Sequence, residues 1–171
     1  VTLRNYPKAV VARLNGHARG GGLGLVAAAD IVVAPTTATF AFSEVRLGVA
    51  PAVIALPCLE TMTPRAVSRY MLTGEKFDAQ DAARAGLVTV AVPPDEIEQK
   101  TASLLDAIRA TEPNAVAATR ALLRDLPAME ATEAFAHAER LSASLFTSPE
   151  AAEGIGAFIE KRPPSWAEPG D

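Results

Sequence analysis

A glycine-dense run between an apolar strand-like segment and a helix-forming segment constrains the fold of this chain most. Residues 15–24 read Asn-Gly-His-Ala-Arg-Gly-Gly-Gly-Leu-Gly, after the apolar run 9–12 and before the helix-forming run 25–29. A helix that begins at glycines leaves backbone N–H groups unpaired and open to approach at its N-terminus. Such a turn cradles a phosphate, stabilises an oxyanion that develops during a reaction, or is only a tight turn.

The spacing of the glycines is a poor match to nucleotide-binding motifs. Gly20, Gly22 and Gly24 form G-x-G-x-G, whereas the dinucleotide fingerprint requires G-x-G-x-x-G. A P-loop requires Lys followed by Ser or Thr after its last glycine, and Leu25 and Val26 stand there instead. The glycine turn alone therefore leaves the oxyanion and tight-turn interpretations open.

Composition excludes several classes of protein. A chain of 171 residues, 49% of them hydrophobic, is long enough for one domain with an appendage and is not disordered. Its apolar runs are too short to cross a bilayer, and its net charge of −4 disfavours general nucleic-acid binding. Cys58 is the only cysteine, so we expect a buried small hydrophobe in a reducing compartment, with a cytoplasmic location. Two histidines and no cysteine cluster predict no metal site.

The pattern of elements changes along the chain. Strand-like segments alternate with amphipathic segments in the first part, which predicts an α/β arrangement. Thr63-Pro64 and Asp78 are good helix starts. From Pro94 onward only helical periodicity remains. The predicted strands are 9–14, 31–34 and 88–92, and the predicted helices are 21–29, 53–61, 64–72, 79–85, 95–109, 113–124, 130–146 and 149–161.

Separated motifs in a fixed order point to a known family. The stretch from Lys8 to Pro51 resembles the signature of the enoyl-CoA hydratase/isomerase family, also called crotonases, and the resemblance continues to Arg162. It is carried by residues 8–12, 15–16, 20–23, 29–31, 40, 43–48, 72–75, 82–88, 153–154, 157–158 and 160–162. The resemblance implies an α/β fold in which residues 1–110 form the C-terminal part of a crotonase-like ββα spiral core. Residues 111–171 would form a helical oligomerisation segment, and an N-terminal portion of the family's domain has no counterpart here.

The resemblance assigns the chemistry to two residues. Gly21 matches the glycine whose N–H polarises the thioester oxygen, and Glu44 matches the glutamate that carries the proton. An apolar pocket disfavours the charged form of a carboxyl group, which suits such a carrier. The alternative for Glu44 is a capping glutamate or an ion pair with Arg46. We also expect Gly20, Gly22 and Gly24 to contact the substrate.

One position departs from the family pattern. Hydratases of the family usually carry a second glutamate where this chain has Gly24. A single glutamate is typical of the family's double-bond isomerases, although Gly24 would alternatively only widen the pocket for a bulkier acyl group. Glu60 and Glu75 are the other nominees, and we expect both on the surface or behind the site.

The lead prediction is hydration of a 2-enoyl-CoA. The alternatives are an enoyl-CoA isomerase and a non-catalytic acyl-CoA-binding subunit. The resemblance implies that Phe158 and Lys161 contact CoA, although a cation at a helix end is favourable in itself. It also implies a homotrimer or a dimer of trimers, with an acyl-CoA substrate, no nucleic-acid or membrane partner, and no cofactor because CoA belongs to the substrate. His17 is expected to be an exposed turn residue, Arg19 a phosphate contact or a solvated charge, and Asp30 a structural residue.

Overall fold

The computed structural model describes residues 2–167 of the chain. They divide into two compact units, residues 2–6 with 10–105, and residues 7–9 with 106–167. The strands are β1 (Val11–Arg13), β2 (Ala18–Arg19), β3 (Ile31–Pro35), β4 (Thr39–Ala41), β5 (Phe77–Asp78) and β6 (Val90–Val92). The helices are α1 (Gly21–Ala27), α2 (Ala52–Thr61), α3 (Pro64–Thr73), α4 (Ala79–Ala85), α5 (Ile97–Arg109), α6 (Pro113–Asp125), α7 (Ala131–Phe146) and α8 (Pro149–Glu160).

The first unit contains two small sheets. Strands β1, β3 and β6 form a parallel sheet in the order β1-β3-β6, with Val11 opposite Ile31 and Val33 opposite Val90. Strands β2 and β4 are parallel, and β5 adds to β4 in antiparallel orientation with Phe77 opposite Phe40. Parallel neighbours require helical crossovers, which accounts for the alternation of strands and helices. The predicted α/β class is confirmed.

Three of the six strands were not predicted. Strands β2, β4 and β5 contain two or three residues each, and they lack the runs of Val and Ile that mark β1, β3 and β6 in the sequence. Their pairing with one another, across distant parts of the chain, defines them as strands. The two predicted helix starts are confirmed: Pro64 is the first residue of α3, and the Asp78 carboxylate accepts a 2.7 Å hydrogen bond from the Asp81 N–H.

The core of the first unit lies between the short sheets and the helices. Its aromatic part is built around Phe77, which stacks on Tyr70 with ring centroids 3.9 Å apart and lies 5.6 Å from Phe40. Phe40, Phe42 and Leu23 are fully buried. Burial of these apolar side chains holds the segment after β4 against the start of α1, and the candidate active site lies at that junction.

The second unit is helical and consists of the last residues of α5 together with α6, α7 and α8. The first turns are capped by side chains: Glu112 accepts from the N–H of Asn114, Glu130 from that of Thr132, and Ser148 from that of Ala151. Apolar side chains remain exposed on this unit, among them Phe135, Phe146 and Phe158. Within residues 2–167, no helix has the length and apolar character needed to cross a membrane.

Candidate active site

The glycine turn connects β2 to α1 through a backbone conformation that only glycine adopts readily. Gly20 has φ 50° and ψ −127°, the mirror image of an extended conformation. Its N–H donates to the Ala41 carbonyl at 3.2 Å, and its carbonyl accepts from the Leu23 N–H at 3.0 Å. These bonds fix the start of α1 beside β4. The N–H groups of the first turn of a helix have no acceptor within the helix, and Gly21 is the first of these residues.

Glu44 lies in a 3₁₀ turn, Ser43–Leu47, that follows β4 and ends at Gly48 with φ 80°. Its carboxyl group lies against Gly20: a Cβ built there would be 3.5 Å from Oε1 and 3.9 Å from Oε2. Oε2 is buried, and it has no hydrogen-bond partner among the described residues. An unpartnered buried oxygen costs about 1–3 kcal/mol, so such an atom in a folded protein calls for an explanation in function.

The alternative role for Glu44, an ion pair with Arg46, does not match the contacts of Arg46. The Arg46 side chain is turned toward α3, where its Nε donates to the Thr73 carbonyl at 3.4 Å. Phe42, the N-cap residue that precedes the 3₁₀ turn, makes no side-chain capping hydrogen bond. The Glu44 carboxyl group therefore faces the glycine turn without a cationic partner in the part of the chain that the structure describes.

Glu44 and Gly21 line one cavity of the first unit, with a volume of about 750 Å³. Most of its wall is apolar and comes from α1, α2 and the segment before α2, including Leu25, Val53 and Leu56. Ligand pockets for organic molecules are typically of this size and combine apolar walls with a few polar groups. Besides Glu44, the polar side chains of the wall are those of Thr2, Arg4, Asn5 and Glu60.

Gly24 contributes to the same cavity, and its missing side chain is replaced by Ile54 of α2. A Cβ built on Gly24 would lie 2.8 Å from the Ile54 Cβ and closer still to its Cγ2. Ile54 is 8% exposed and lines the cavity itself. The expectation that Gly24 widens the pocket was therefore wrong, because Ile54 fills the space beside it. The same contact leaves no room for a carboxylate side chain at position 24.

The model of the enoyl-CoA hydratase/isomerase family matches residues 1–169 of the chain. The chain belongs to the enoyl-CoA hydratase/isomerase family. Among curated relatives, it is 33% identical over 159 residues to a Thermus thermophilus protein provisionally named an enoyl-CoA hydratase, covering 93% of this chain and 63% of that protein. It is 34% identical over 169 residues to the carnitinyl-CoA dehydratase of Escherichia coli K12, covering 95% of this chain and 64% of the relative.

Solved structures of family members have the same fold. An enoyl-CoA hydratase from Shewanella pealeana superposes with a TM-score of 0.90 at 36% identity, over 96% of this chain and 62% of that one. The predicted crotonase-like fold is confirmed. The chain spans slightly less than two thirds of the length of these relatives.

Two further carboxylates, Glu60 and Glu75, differ in their position relative to the cavity. Glu75 is paired with Arg69 at 2.5 Å and does not line the cavity. Glu60 lines the cavity although its side chain is 39% exposed, and it pairs with Arg4 at 2.6 Å. Glu60 is exposed, as expected, and it also forms part of the cavity wall. Its position follows from the helical period of α2, which brings Glu60 onto the same face as Val53 and Leu56.

Cys58 of α2 is fully buried, as expected for a small hydrophobe. Burial, and to a smaller extent the nearby charge of Glu44, together raise the pKa of its thiol from 9.0 to about 11. The thiol is therefore protonated near neutral pH and contributes packing rather than a nucleophile.

The remaining polar candidates of the first unit have structural roles. The Arg19 guanidinium donates to the Thr39 hydroxyl at 2.6 Å and to the Thr39 carbonyl, so it is engaged within the fold. His17 is exposed, and its Nδ1 accepts from the Thr39 N–H at 3.1 Å. Asp30 accepts from the Val10 N–H at 2.7 Å, which ties β1 to β3. Residues 2–167 contain no group of three or more His, Cys, Asp or Glu side chains arranged to hold a metal ion.

Phe158 and Lys161 belong to the second unit. Phe158 is 84% exposed on α8, and Lys161 ends that helix in the left-handed conformation with φ 54°. Their contact with CoA stays a prediction, as do the substrate contacts of Gly20, Gly22 and Gly24. Gly22 lies in the first turn of α1, where a Cβ would meet the Ala18 side chain at an ordinary 3.9 Å.

Proposed function

We propose that this chain carries the active site of an enoyl-CoA hydratase that adds water to a 2-enoyl-CoA thioester. The observation that supports this most is that Glu44 lines an apolar cavity together with Gly21, while its buried Oε2 has no hydrogen-bond partner among the described residues. A carboxylate without a protein partner is free to accept a proton from a ligand. The apolar wall suits an acyl chain.

In the proposed reaction, the thioester carbonyl oxygen accepts a hydrogen bond from the Gly21 N–H. Addition of water to the β-carbon moves electron density through the α-carbon to this oxygen, and the amide stabilises the resulting enolate. Loss of one such donor typically costs about 3–4 kcal/mol of transition-state stabilisation. Glu44 accepts a proton from the attacking water and then returns a proton to the α-carbon. The product is a 3-hydroxyacyl-CoA, in which the hydroxyl group on the β-carbon and the new hydrogen on the α-carbon together account for one water molecule.

A second candidate function is isomerisation of an enoyl-CoA double bond. The observation that favours it is the Gly24–Ile54 contact, which leaves no room for a second carboxylate on α1. In isomerisation, Glu44 would remove a proton from one carbon of the acyl chain and return it to another. One carboxylate suffices for that reaction because no water is activated. A third possibility is a subunit that binds acyl-CoA without turnover.

The test uses the whole protein with crotonyl-CoA and with a 3-enoyl-CoA. We expect wild-type protein to convert crotonyl-CoA to its 3-hydroxyacyl product. We expect Glu44→Gln to lower kcat by about 10²–10⁴-fold, the usual contribution of a general acid–base group. Glu75→Gln is the matched control, because Glu75 pairs with Arg69 outside the cavity and its loss should leave kcat unchanged.

Each other outcome selects a different function. Conversion of the 3-enoyl-CoA alone would identify an isomerase and overturn the hydratase proposal. Binding of acyl-CoA without turnover, with equal affinity in Glu44→Gln, would identify a non-catalytic subunit. Equal activity of Glu44→Gln and wild type would remove Glu44 from the mechanism.

The proposal extends to the assembly and its surroundings. The exposed apolar side chains of α7 and α8 support a homotrimer or a dimer of trimers. Light scattering coupled to size-exclusion chromatography would test this state, and a monomeric mass would refute it. The proposal includes a cytoplasmic location and an acyl-CoA substrate. It includes no separate cofactor, since the reaction consists of water addition and proton transfers.

A further inference from the structure

Two glycines four residues apart, the N-cap residue Gly20 and Gly24 within α1, are each covered by a side chain from a later part of the chain. Glu44 lies against Gly20, and Ile54 lies against Gly24. Four residues of a helix span about 6 Å along its axis, so the two covered positions lie about one helical turn apart. Glu44 and Ile54 therefore cover neighbouring positions at the start of α1, and both residues line the cavity.

Ile54 is held firmly in this position. It is 8% exposed, and the absent Cβ of Gly24 lets its branched side chain rest directly on the backbone of α1. A β-branched side chain on a helix has one strongly preferred χ1 rotamer, so Ile54 has little freedom to turn away from the cavity. Val53 and Leu56 also line the cavity, but they are 94% and 54% exposed and present less confined surfaces.

We propose that Ile54 is a specificity-determining residue that limits the length of the acyl chain accepted beside Glu44. The proposal rests on the proposed function, in which Glu44 exchanges protons with the first carbons after the thioester. A side chain one helical turn from Glu44 then meets the acyl carbons that follow them. Removing the methyl groups of Ile54 opens space at that point of the chain and leaves the carboxyl group in place.

The experiment compares kcat/KM for crotonyl-CoA and for trans-2-octenoyl-CoA in wild-type protein and in Ile54→Ala. We expect the octenoyl-to-crotonyl ratio of kcat/KM to rise by about tenfold or more in Ile54→Ala, since each methylene in an apolar pocket changes discrimination by about 10–200-fold. Leu59→Ala is the matched control. Leu59 is on the same helix and is 59% exposed, and it does not line the cavity, so its ratio should match that of wild type.

A second variant covers the case in which Ile54→Ala does not fold, and a second measurement covers the case in which wild-type protein shows no turnover. If Ile54→Ala does not fold, as judged by circular dichroism, Ile54→Val replaces it with a smaller shift in the same direction. If wild-type protein converts neither substrate, the proposed function fails. The role of Ile54 is then measured from the dissociation constants of butyryl-CoA and octanoyl-CoA by calorimetry, with the same expected change in their ratio. The inference is overturned if Ile54→Ala and Leu59→Ala have the same ratio between the long and the short acyl chain, in kcat/KM or in the dissociation constants.

Discussion

Replacing Gly24 by alanine tests whether Ile54 is held against helix α1. In a helix interior, glycine-to-alanine substitution normally stabilises a protein by about 1 kcal/mol, because alanine has the higher helix propensity. Gly24 has no positive φ that would oppose the change. The new Cβ, however, would stand 2.8 Å from the Ile54 Cβ, a separation that side chains in folded proteins do not adopt.

The expected loss follows from these two opposing effects. Overpacking a filled core usually costs about 1–3 kcal/mol, and the gain in propensity offsets about 1 kcal/mol of that. We therefore expect Gly24→Ala to change the free energy of unfolding by between zero and a loss of about 2 kcal/mol. Gly156→Ala provides the reference, because Gly156 lies inside α8 and a Cβ there would have no atom within 4 Å. The difference between the two variants should then be about 1–3 kcal/mol, equal to the overpacking alone.

Urea denaturation followed by far-UV circular dichroism measures both variants against wild type. An unchanged m-value would show that only stability changes. Combining Gly24→Ala with Ile54→Gly removes the clashing atoms and leaves the Ile54 Cα position at an ordinary 3.5 Å. The two substitutions should therefore be non-additive by about 0.5–3 kcal/mol. Stabilisation of Gly24→Ala to the level of Gly156→Ala would refute the close contact between α1 and α2.

Two further predictions concern pH. Because the folded-state pKa of Cys58 is about 11 against 9.0 for a free thiol, the unfolded chain loses this proton first. The free energy of unfolding should then fall by about 1.4 kcal/mol per pH unit as pH rises from 9 toward 11. Urea unfolding should show this slope in wild type and not in Cys58→Ala, and equal slopes would contradict it. In the second unit, hydrogen bonds from Arg162 and the Ser165 N–H lower the pKa of Glu153 from 4.5 to about 2. This contribution is present above pH 4.5 and lost as pH falls through about 2. The fluorescence of Trp166, the single tryptophan, which lies on Gly154, should shift to the red only near that lower pH in wild type, and at neutral pH in Glu153→Gln. A wild-type midpoint near 4.5 would refute the pairing.

Local signals in the sequence predicted the longer elements well. Helices α3 and α4 follow from Thr63-Pro64 and from the capping Asp78, because caps act within a few residues. Strands β2, β4 and β5 could not be predicted in this way. They are defined by the pairing of Phe40 with Phe77 and of Ala18 with Phe40, and these partners are far apart in the sequence.

The same distinction between local signals and long-range contacts applies to the candidate site. Gly21 and Glu44 were nominated from motifs, and the structure places both on one cavity. The part played by Ile54 was not visible, because an isoleucine in an apolar helix has many equivalent neighbours before the fold is known. The position of Glu60 on the cavity wall was not visible for a related reason: the sequence shows that α2 is a helix, but not which of its faces meets the cavity.

The contact between Gly24 and Ile54 also limits the order in which the site can change over generations. A lineage that gains a side chain at position 24 passes through an overpacked intermediate unless position 54 has already become smaller. The reverse order leaves a void, which is costly but open to any later residue of suitable shape. A carboxylate at position 24 is therefore gained most easily after residue 54 of helix α2 has become smaller. The first change is then made at a residue that takes no part in the chemistry itself.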